Sequence, residues 1–167
     1  MNKLTTTLNN IKACRPCEDG WTKLLKHLGK TQADDEPLPY ETILDSNGLN
    51  DALWCCRCEP KYDREWRLFA VWCARQVQHL MTDKRSIDAL DVAERYANGK
   101  ATDKELKKAK DGALDAWRAS TGVAGEAAAW AAGAAARAAA WEAVEAAWEA
   151  AWEKQAEQFR KVCRGEG

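Results

Sequence analysis

Apolar residues recur at helical spacing over most of the chain. In Tyr62–Met81 the apolar side chains Trp66, Phe69 and Ala70 begin a series at i, i+3, i+4 and i+7 positions, which places them on one helical face. No run alternates apolar and polar residues with the period of two that marks a half-buried strand. The pattern therefore predicts an all-α fold, with Tyr62–Met81 as its central helix.

Residues that commonly stop and start helices mark the predicted boundaries. Gly29 and the pair Asn47-Gly48 are typical of helix C-termini. Thr102 and Glu105 have the spacing of a capping box, in which each side chain accepts a hydrogen bond from the other residue's backbone amide. We expect helices to end at the first two signals and one to begin at the third.

Asn50 and Ser86 are the predicted N-terminal caps of two further helices. A polar loop that contains proline is predicted at Lys30–Pro39, because proline removes a backbone donor and disfavours helix before it. The predicted helices are Thr6–Ala13, Glu18–Leu28, Tyr40–Asp45, 51–58, Tyr62–Met81, Ile87–Ala97 and Asp103–Ser120.

The segment from Ala124 to Cys163 contains no proline and is dominated by alanine, the strongest helix former. A single helix of this length would span about 60 Å, so we predict either one long amphipathic helix or a helical hairpin that breaks near Gly133. At about 100° per residue its aromatic side chains fall within a sector of about 40°. This aromatic stripe comprises Trp130, Trp141, Trp148, Trp152 and Phe159.

The stripe has two interpretations. It is core if the segment folds back on its own domain, and it is an interface for self-assembly if the segment projects. We predict a helical domain at residues 1–121, with a tail at 122–167 that packs on this domain or extends from it.

Composition and charge narrow the class of protein. The apolar fraction of 46% is enough for a core, and 25 Lys and Arg nearly balance 26 Asp and Glu, so direct binding to nucleic acid is not expected. No apolar run is long enough to suggest a membrane span, and no N-terminal signal segment is evident. We therefore expect a cytoplasmic protein whose seven cysteines are reduced thiols.

Two cysteine groups suggest metal binding. Cys14-Arg-Pro-Cys17 has the spacing of a zinc knuckle, and Cys55-Cys56-Arg-Cys58 supplies further thiols. No second CxxC or HxxxH follows at a standard interval, and adjacent residues of a helix cannot all face one ion. We predict no metal and no cofactor, while a small cysteine-dependent metal-binding regulator stays open as an alternative.

Sequence patterns of known catalytic sites are missing. His27 and His79 are the two imidazoles, and neither has a neighbouring nucleophile in a recognised arrangement. Phosphate-binding loops, nucleophile elbows, zinc-protease helices and dinucleotide fingerprints are not found. We predict a protein that is not an enzyme and has no catalytic residues.

Charged and aromatic groups provide candidates for binding a protein partner. The predicted loop contains an acidic run that could contact a basic partner, and the central helix combines arginine with tryptophan, a pairing enriched at interfaces. Intradomain ion pairs could also account for the arginines. The candidate partner-binding residues are Asp34, Asp35, Glu36, Arg64, Trp66, Arg67, Arg75 and His79.

Three runs of the sequence resemble one protein family. LLKHLGKTQADDEPLPYETILDSNGLNDALWCCR, RLFAVWCARQVQHLM and SIDALDVAERYANGKATDKEL, followed by an Ala/Trp-rich tail, are similar to the α-helical immunity proteins of polymorphic-toxin loci and of many phage and prophage genomes. The resemblance implies an all-α, non-catalytic protein that protects a cell or a phage by blocking another protein. It also implies a functionally important arginine, for which Arg75 is our candidate.

These observations lead to one functional hypothesis and two alternatives. The first is an immunity or anti-defence protein that binds a protein target, either a toxin or a host defence effector such as a CRISPR complex. The first alternative is a structural protein that forms homo-oligomers through the aromatic stripe, and the second is the metal-binding regulator.

Overall fold

The structure is a computed structural model that describes residues 3–76, 78–80, 83–120 and 151–166. It confirms the all-α prediction, apart from one very short antiparallel strand pair. The elements in chain order are β1 (Thr5–Thr6), α1 (Leu8–Ala13), α2 (Glu18–Leu28), β2 (Leu38–Pro39), α3 (Tyr40–Asn47), α4 (Leu49–Cys55), the 3-10 turns Cys56–Cys58 and Pro60–Tyr62, α5 (Asp63–Gln76), the 3-10 turn Gln78–Leu80, α6 (Lys84–Ala97), α7 (Asp103–Ser120) and α8 (residues 151–164).

The chain forms two compact units. The first comprises Met1–Phe69 together with Trp152–Gly167, and the second comprises Ala70–Ala151. The end of the predicted tail thus belongs to the same unit as the N-terminal residues. The predicted domain boundary at residue 121 lies in the segment 121–150, which is outside the described residues. None of the described helices is long and apolar enough to cross a membrane.

Several local signals in the sequence have the predicted structural effect. Gly29 ends α2 with φ 65°, a left-handed conformation that favours glycine. At the start of α7 the Thr102 backbone N–H donates to Glu105 Oε2 at 2.8 Å, and the Glu105 N–H donates to Thr102 Oγ1 at 3.3 Å. This reciprocal pair confirms the predicted capping box.

Two predicted caps are wrong. The helix predicted to be capped by Asn50 begins two residues earlier, at Leu49, because Gly48 at φ 91° lets the chain reverse directly from α3 into α4. Ser86 lies inside α6, whose cap is Asp83, with a side chain that accepts a hydrogen bond from the Arg85 backbone N–H at 2.8 Å. In both cases the helix starts at a capping residue that lies two or three positions before the predicted one.

The strand pair and the 3-10 turns were not predicted. Thr5 pairs with Pro39 and Thr6 with Leu38, so each strand is too short to show an alternating pattern. The helix predicted to reach Cys58 ends at Cys55 and continues as a 3-10 turn. In the predicted central helix, α5 spans Asp63–Gln76 and a 3-10 turn spans Gln78–Leu80, while Met81 lies outside the described residues. Such terminal turns depend on surrounding contacts more than on local sequence.

A cluster of aromatic rings forms the core of the first unit. Phe159 of α8 is 0% exposed and stacks on Trp66 with ring centroids 5.7 Å apart. Phe69 meets Phe159 edge-on at 5.4 Å, and Tyr40, also fully buried, meets Trp66 edge-on at 4.8 Å. The Tyr40 hydroxyl donates to the carbonyl of Cys55 at 3.2 Å, which satisfies the one polar atom of that ring.

Polar contacts attach α8 to the N-terminal residues of the same unit. The Leu4 backbone N–H donates to the carbonyl of Cys163 at 2.7 Å. Arg160 pairs with Asp45 at 2.6 Å, and Arg164 pairs with Glu41 at 2.5 Å. The end of the chain is therefore a structural part of the first unit.

A buried carboxylate joins α1 to the segment before α5. Glu59 is 6% exposed, and its Oε1 accepts a hydrogen bond from Asn10 Nδ2 at 2.6 Å while Lys61 Nζ lies 3.1 Å from Oε2. Burial by itself would raise the pKa of Glu59, but the hydrogen bonds outweigh it and the pKa is lowered from its usual value. The ionised form therefore stabilises the fold.

In the second unit, α6 and α7 pack as an antiparallel helical pair. Arg75 Nη2 lies 2.9 Å from Asp91 and 2.5 Å from Glu94 of α6, and the Tyr96 hydroxyl donates to Asp103 at 2.6 Å. Arg75 thus forms its ion pairs within its own unit, in agreement with the intradomain interpretation of the arginines.

Candidate protein-binding site

The first unit contains an apolar pocket of about 190 Å³. Its aromatic lining residues are two half-buried tryptophans, Trp21 of α2 and Trp54 of α4. Its amide and carboxylate side chains are those of Asn47 and Asp51. The complete lining is Ile11, Pro16, Cys17, Gly20, Trp21, Leu24, Ile43, Asn47, Asp51, Trp54 and Cys55.

Close contact between α2 and α4 shapes the pocket. A Cβ atom added to Gly20 would lie 2.8 Å from Asp51 Oδ2 and 3.1 Å from Cys17 Sγ, so only glycine fits here without a shift. Asn47 Nδ2 donates to the Gly20 carbonyl at 2.8 Å and to Asp51 Oδ2 at 2.7 Å. The amide of Asn47 thereby fixes the position of the carboxylate relative to α2.

The indole of Trp54 is held by a neighbouring cation. The Arg57 guanidinium carbon lies 4.9 Å from the Trp54 ring centroid, and Arg57 Nε donates to the Trp54 carbonyl at 3.0 Å. Both contacts place the guanidinium of Arg57 beside this indole. The cation–π contact favours this orientation of the Trp54 ring.

The pocket is small for a metabolite or cofactor. Pockets that hold drug-sized ligands measure about 300–1,000 Å³, whereas this one has the volume of a single large side chain. Deep pockets that accept one anchoring side chain of a partner are typical of protein interfaces. The size and the aromatic lining thus favour a protein ligand.

The predicted acidic contact is partly neutralised within its own loop. Lys30 Nζ lies 2.5 Å from both Asp34 Oδ2 and Glu36 Oε2, and the hydrogen bond from Lys30 lowers the pKa of Asp34. Asp35 is exposed beside them. The loop keeps a negative charge at its surface, although Asp34 and Glu36 already have a cationic partner.

The Arg–Trp group on α5 makes contacts within the first unit. Trp66 packs against Tyr40 and Phe159 in the aromatic cluster, so its ring faces the core and not a partner. Arg67 pairs with Asp63 at 2.6 Å, and Arg64 lies 3.5 Å from Glu65. These contacts agree with the structural interpretation of the group.

The remaining predicted residues are separate from the pocket. Arg75 donates to Gln78 Oε1 at 2.9 Å in addition to its two carboxylate partners, while His79 is exposed in the 3-10 turn that follows. Phe159 of the aromatic stripe is core and Trp152 is half-buried. The other stripe residues, Trp130, Trp141 and Trp148, lie outside the described residues.

The described cysteines are free thiols, and no group of three or more His, Cys, Asp or Glu in the described residues could hold a metal ion. Burial raises the pKa of Cys55 and of Cys163 to about 12. Cys17 at the pocket edge is the exposed one. Since the thiolate is both the metal ligand and the nucleophile, the buried sulfurs are poorly suited to either role.

Sequence reasoning missed the pocket and its residues Trp21, Asn47, Asp51 and Trp54. A glycine inside an otherwise helical stretch indicates a close approach of another segment, and Gly20 in α2 is such a residue. That signal was present in the sequence, but it does not identify the approaching helix. Comparison with protein-family models, with curated proteins and with solved structures finds no match for this chain.

Proposed function

We propose that this chain is a non-enzymatic inhibitor that binds another protein and blocks it, the target being a toxin or a defence effector such as a CRISPR complex. The observation that carries the proposal is the pocket framed by Trp21 and Trp54. The choice of target class rests on the resemblance of the sequence to immunity proteins.

The chemistry of the pocket supports protein recognition. Tryptophan is enriched among the residues that dominate binding energy, because its large surface loses little conformational entropy when it packs. Here both indoles are half-buried, so part of each ring packs within the unit while part stays accessible. An apolar pocket with a polar edge has the anatomy of an interface core.

Inhibition by this surface requires no chemical step. A pocket that anchors one side chain positions the surrounding surface of α2 and α4 over the target, and the bulk of the first unit then excludes substrate. Glu18 and Asp19, both exposed at the start of α2 beside Cys17, add negative charge at the edge of the pocket. Such charge favours targets that present a basic surface, as proteins that handle nucleic acid do.

The test is to capture proteins that bind this chain and then to measure whether the chain inhibits their activity. Tagged full-length chain is used to isolate proteins from cells that carry the gene or from hosts of a phage that encodes it, and the activity of each captured protein is measured with added purified chain. The proposal predicts stoichiometric inhibition. A captured set without any inhibited activity contradicts it.

Two variants connect the inhibition to the pocket. The double substitution Trp21→Ala/Trp54→Ala removes both indoles, and we expect the affinity for the target to fall by about 100-fold, since each hot-spot truncation costs a factor of about ten or more. Leu53→Ala, in the same helix at a 36% exposed position outside the lining, is the matched control and should inhibit normally. Circular dichroism establishes that both variants are folded.

A further inference from the structure

We propose that the pocket binds the side chain of an arginine on the target protein. This inference rests on the proposed inhibitory function and adds the chemistry of the group that is recognised. Its first basis is the lining, which is apolar except for Asn47 and the carboxylate of Asp51. A ligand that fills this space needs a long apolar stem and a donor or cation at its end.

The second basis is that Asp51 differs from the other carboxylates that are at least partly buried from solvent, because each of those has a cationic partner. In the described ranges, six partly or wholly buried carboxylates have a Lys or Arg within 4.0 Å: Asp34, Glu41, Glu59, Glu65, Asp83 and Glu94. Within those same ranges Asp51 is also partly buried, yet its hydrogen-bond partner is the neutral amide of Asn47. A shielded carboxylate without a cation is costly, and a ligand cation offsets that cost.

The two cations that follow Asp51 most closely in the sequence are engaged elsewhere. Arg57, the closest in sequence, has its guanidinium over the Trp54 ring and its Nε bonded to the Trp54 carbonyl. Lys61, the next one along the chain, pairs with Glu59. Neither of these two cations pairs with Asp51, and a cation on a binding partner can do so.

Size and geometry favour arginine over the other anchoring residues. Tryptophan and tyrosine would fill the volume and could each donate one neutral hydrogen bond to the carboxylate, but they carry no charge to pair with it. An ammonium group is more strongly hydrated and does not stack on indoles as a planar guanidinium does. A guanidinium can lie along an indole and donate to Asp51 at the same time. Arg57 on Trp54 is an example of that stacking at the edge of the same pocket.

The experiment uses two single-residue probes whose backbone termini are capped and uncharged, so that they differ only in the charge of the side chain. N-acetyl-arginine N-methylamide is titrated into the full-length chain to about 50 mM, while the indole N–H signals of Trp21 and Trp54 are followed by NMR after assignment with Trp21→Phe and Trp54→Phe. The citrulline analogue has nearly the same shape and lacks the cation. We expect saturable shifts with a millimolar dissociation constant for the arginine probe and about tenfold weaker binding of the citrulline probe.

Asp51→Asn should reduce the ratio between the two probes to near one. The amide oxygen that this substitution introduces can still accept the hydrogen bond from Asn47, so the pocket keeps its shape. Asp35→Asn, which removes an exposed carboxylate outside the lining, is the matched control and should preserve the tenfold ratio.

Three results overturn the inference: no indole shift with the arginine probe, equal binding of both probes to the unmodified chain, or tighter binding of the corresponding tryptophan probe. Each of these leaves the inhibition assay unaffected, so an inhibitor with a different anchor is distinguished from a chain without a target. Once a target has been identified, Asp51→Asn should weaken inhibition of that target about tenfold, whereas Asp35→Asn should not. Equal inhibition by the two variants also overturns the inference.

Discussion

Phe159→Ala removes the ring at the centre of the aromatic cluster. Phe159 is 0% exposed and touches three rings, with centroids 5.7 Å from Trp66, 5.4 Å from Phe69 and 6.4 Å from Tyr40. Truncation of a buried phenylalanine costs about 3–5 kcal/mol, and each aromatic pair contributes about 0.5–1.5 kcal/mol to such a value. We expect the free energy of unfolding to fall by about 4 kcal/mol.

The assay is urea unfolding, followed by far-UV circular dichroism and tryptophan fluorescence. Because the chain has two compact units, separate transitions are fitted where the two signals do not coincide. Leu53→Ala removes an apolar side chain that is 36% exposed in the same unit, and it should cost about 1 kcal/mol. Phe159→Leu keeps most of the volume and should lie between the two.

A loss below about 1 kcal/mol for Phe159→Ala would refute the assignment of this residue to the core. Light scattering then separates the two interpretations of the stripe at this position. If Phe159 is core, the variant is less stable and its mass is unchanged. If Phe159 is part of an oligomer interface, the variant is stable and its mass falls.

Three further predictions concern the buried acid, the capping box and the thiols. Folding lowers the pKa of Glu59, so its contribution to the free energy of unfolding is present above the unfolded pKa and is lost as pH falls through the folded pKa. Urea unfolding should show Glu59→Gln less stable than the parent at pH 7, and this difference should vanish in acid. Thr102→Ala should cost about 1 kcal/mol in thermal unfolding, and no change would contradict the capping role. Iodoacetamide at pH 8, analysed by mass spectrometry, should label exposed Cys17 first and Cys55 and Cys163 last, and the reverse order would contradict their burial.

Local features of the fold were predictable from the sequence. The helix Glu18–Leu28 has the predicted bounds, and α7 begins at the predicted capping box, because these ends depend on residues that are neighbours in the chain. The caps at Gly48 and Asp83 were missed where two capping residues compete within a few positions. Local sequence indicates that a helix starts, but tertiary contacts select the exact residue.

The candidate site depended on contacts that sequence periodicity does not contain. Trp66 and Trp54 both lie on helices with apolar faces, yet Trp66 packs against Phe159 from the far end of the chain while Trp54 lines an open pocket. Their difference follows from which helix packs opposite each indole. The role of Asp51 likewise depends on Asn47 and Gly20 approaching it from two other helices.

The position of Phe159 has a consequence for how the protein is made. During synthesis, Tyr40, Trp66 and Phe69 leave the ribosome well before the ring that covers them, so the first unit cannot complete its core until α8 has been translated. In the second unit, the described helices α6 and α7 pack against each other and can form during that delay. A message that ends prematurely would therefore yield a chain with an exposed aromatic cluster, which cellular quality control removes, so that only chains translated through α8 accumulate.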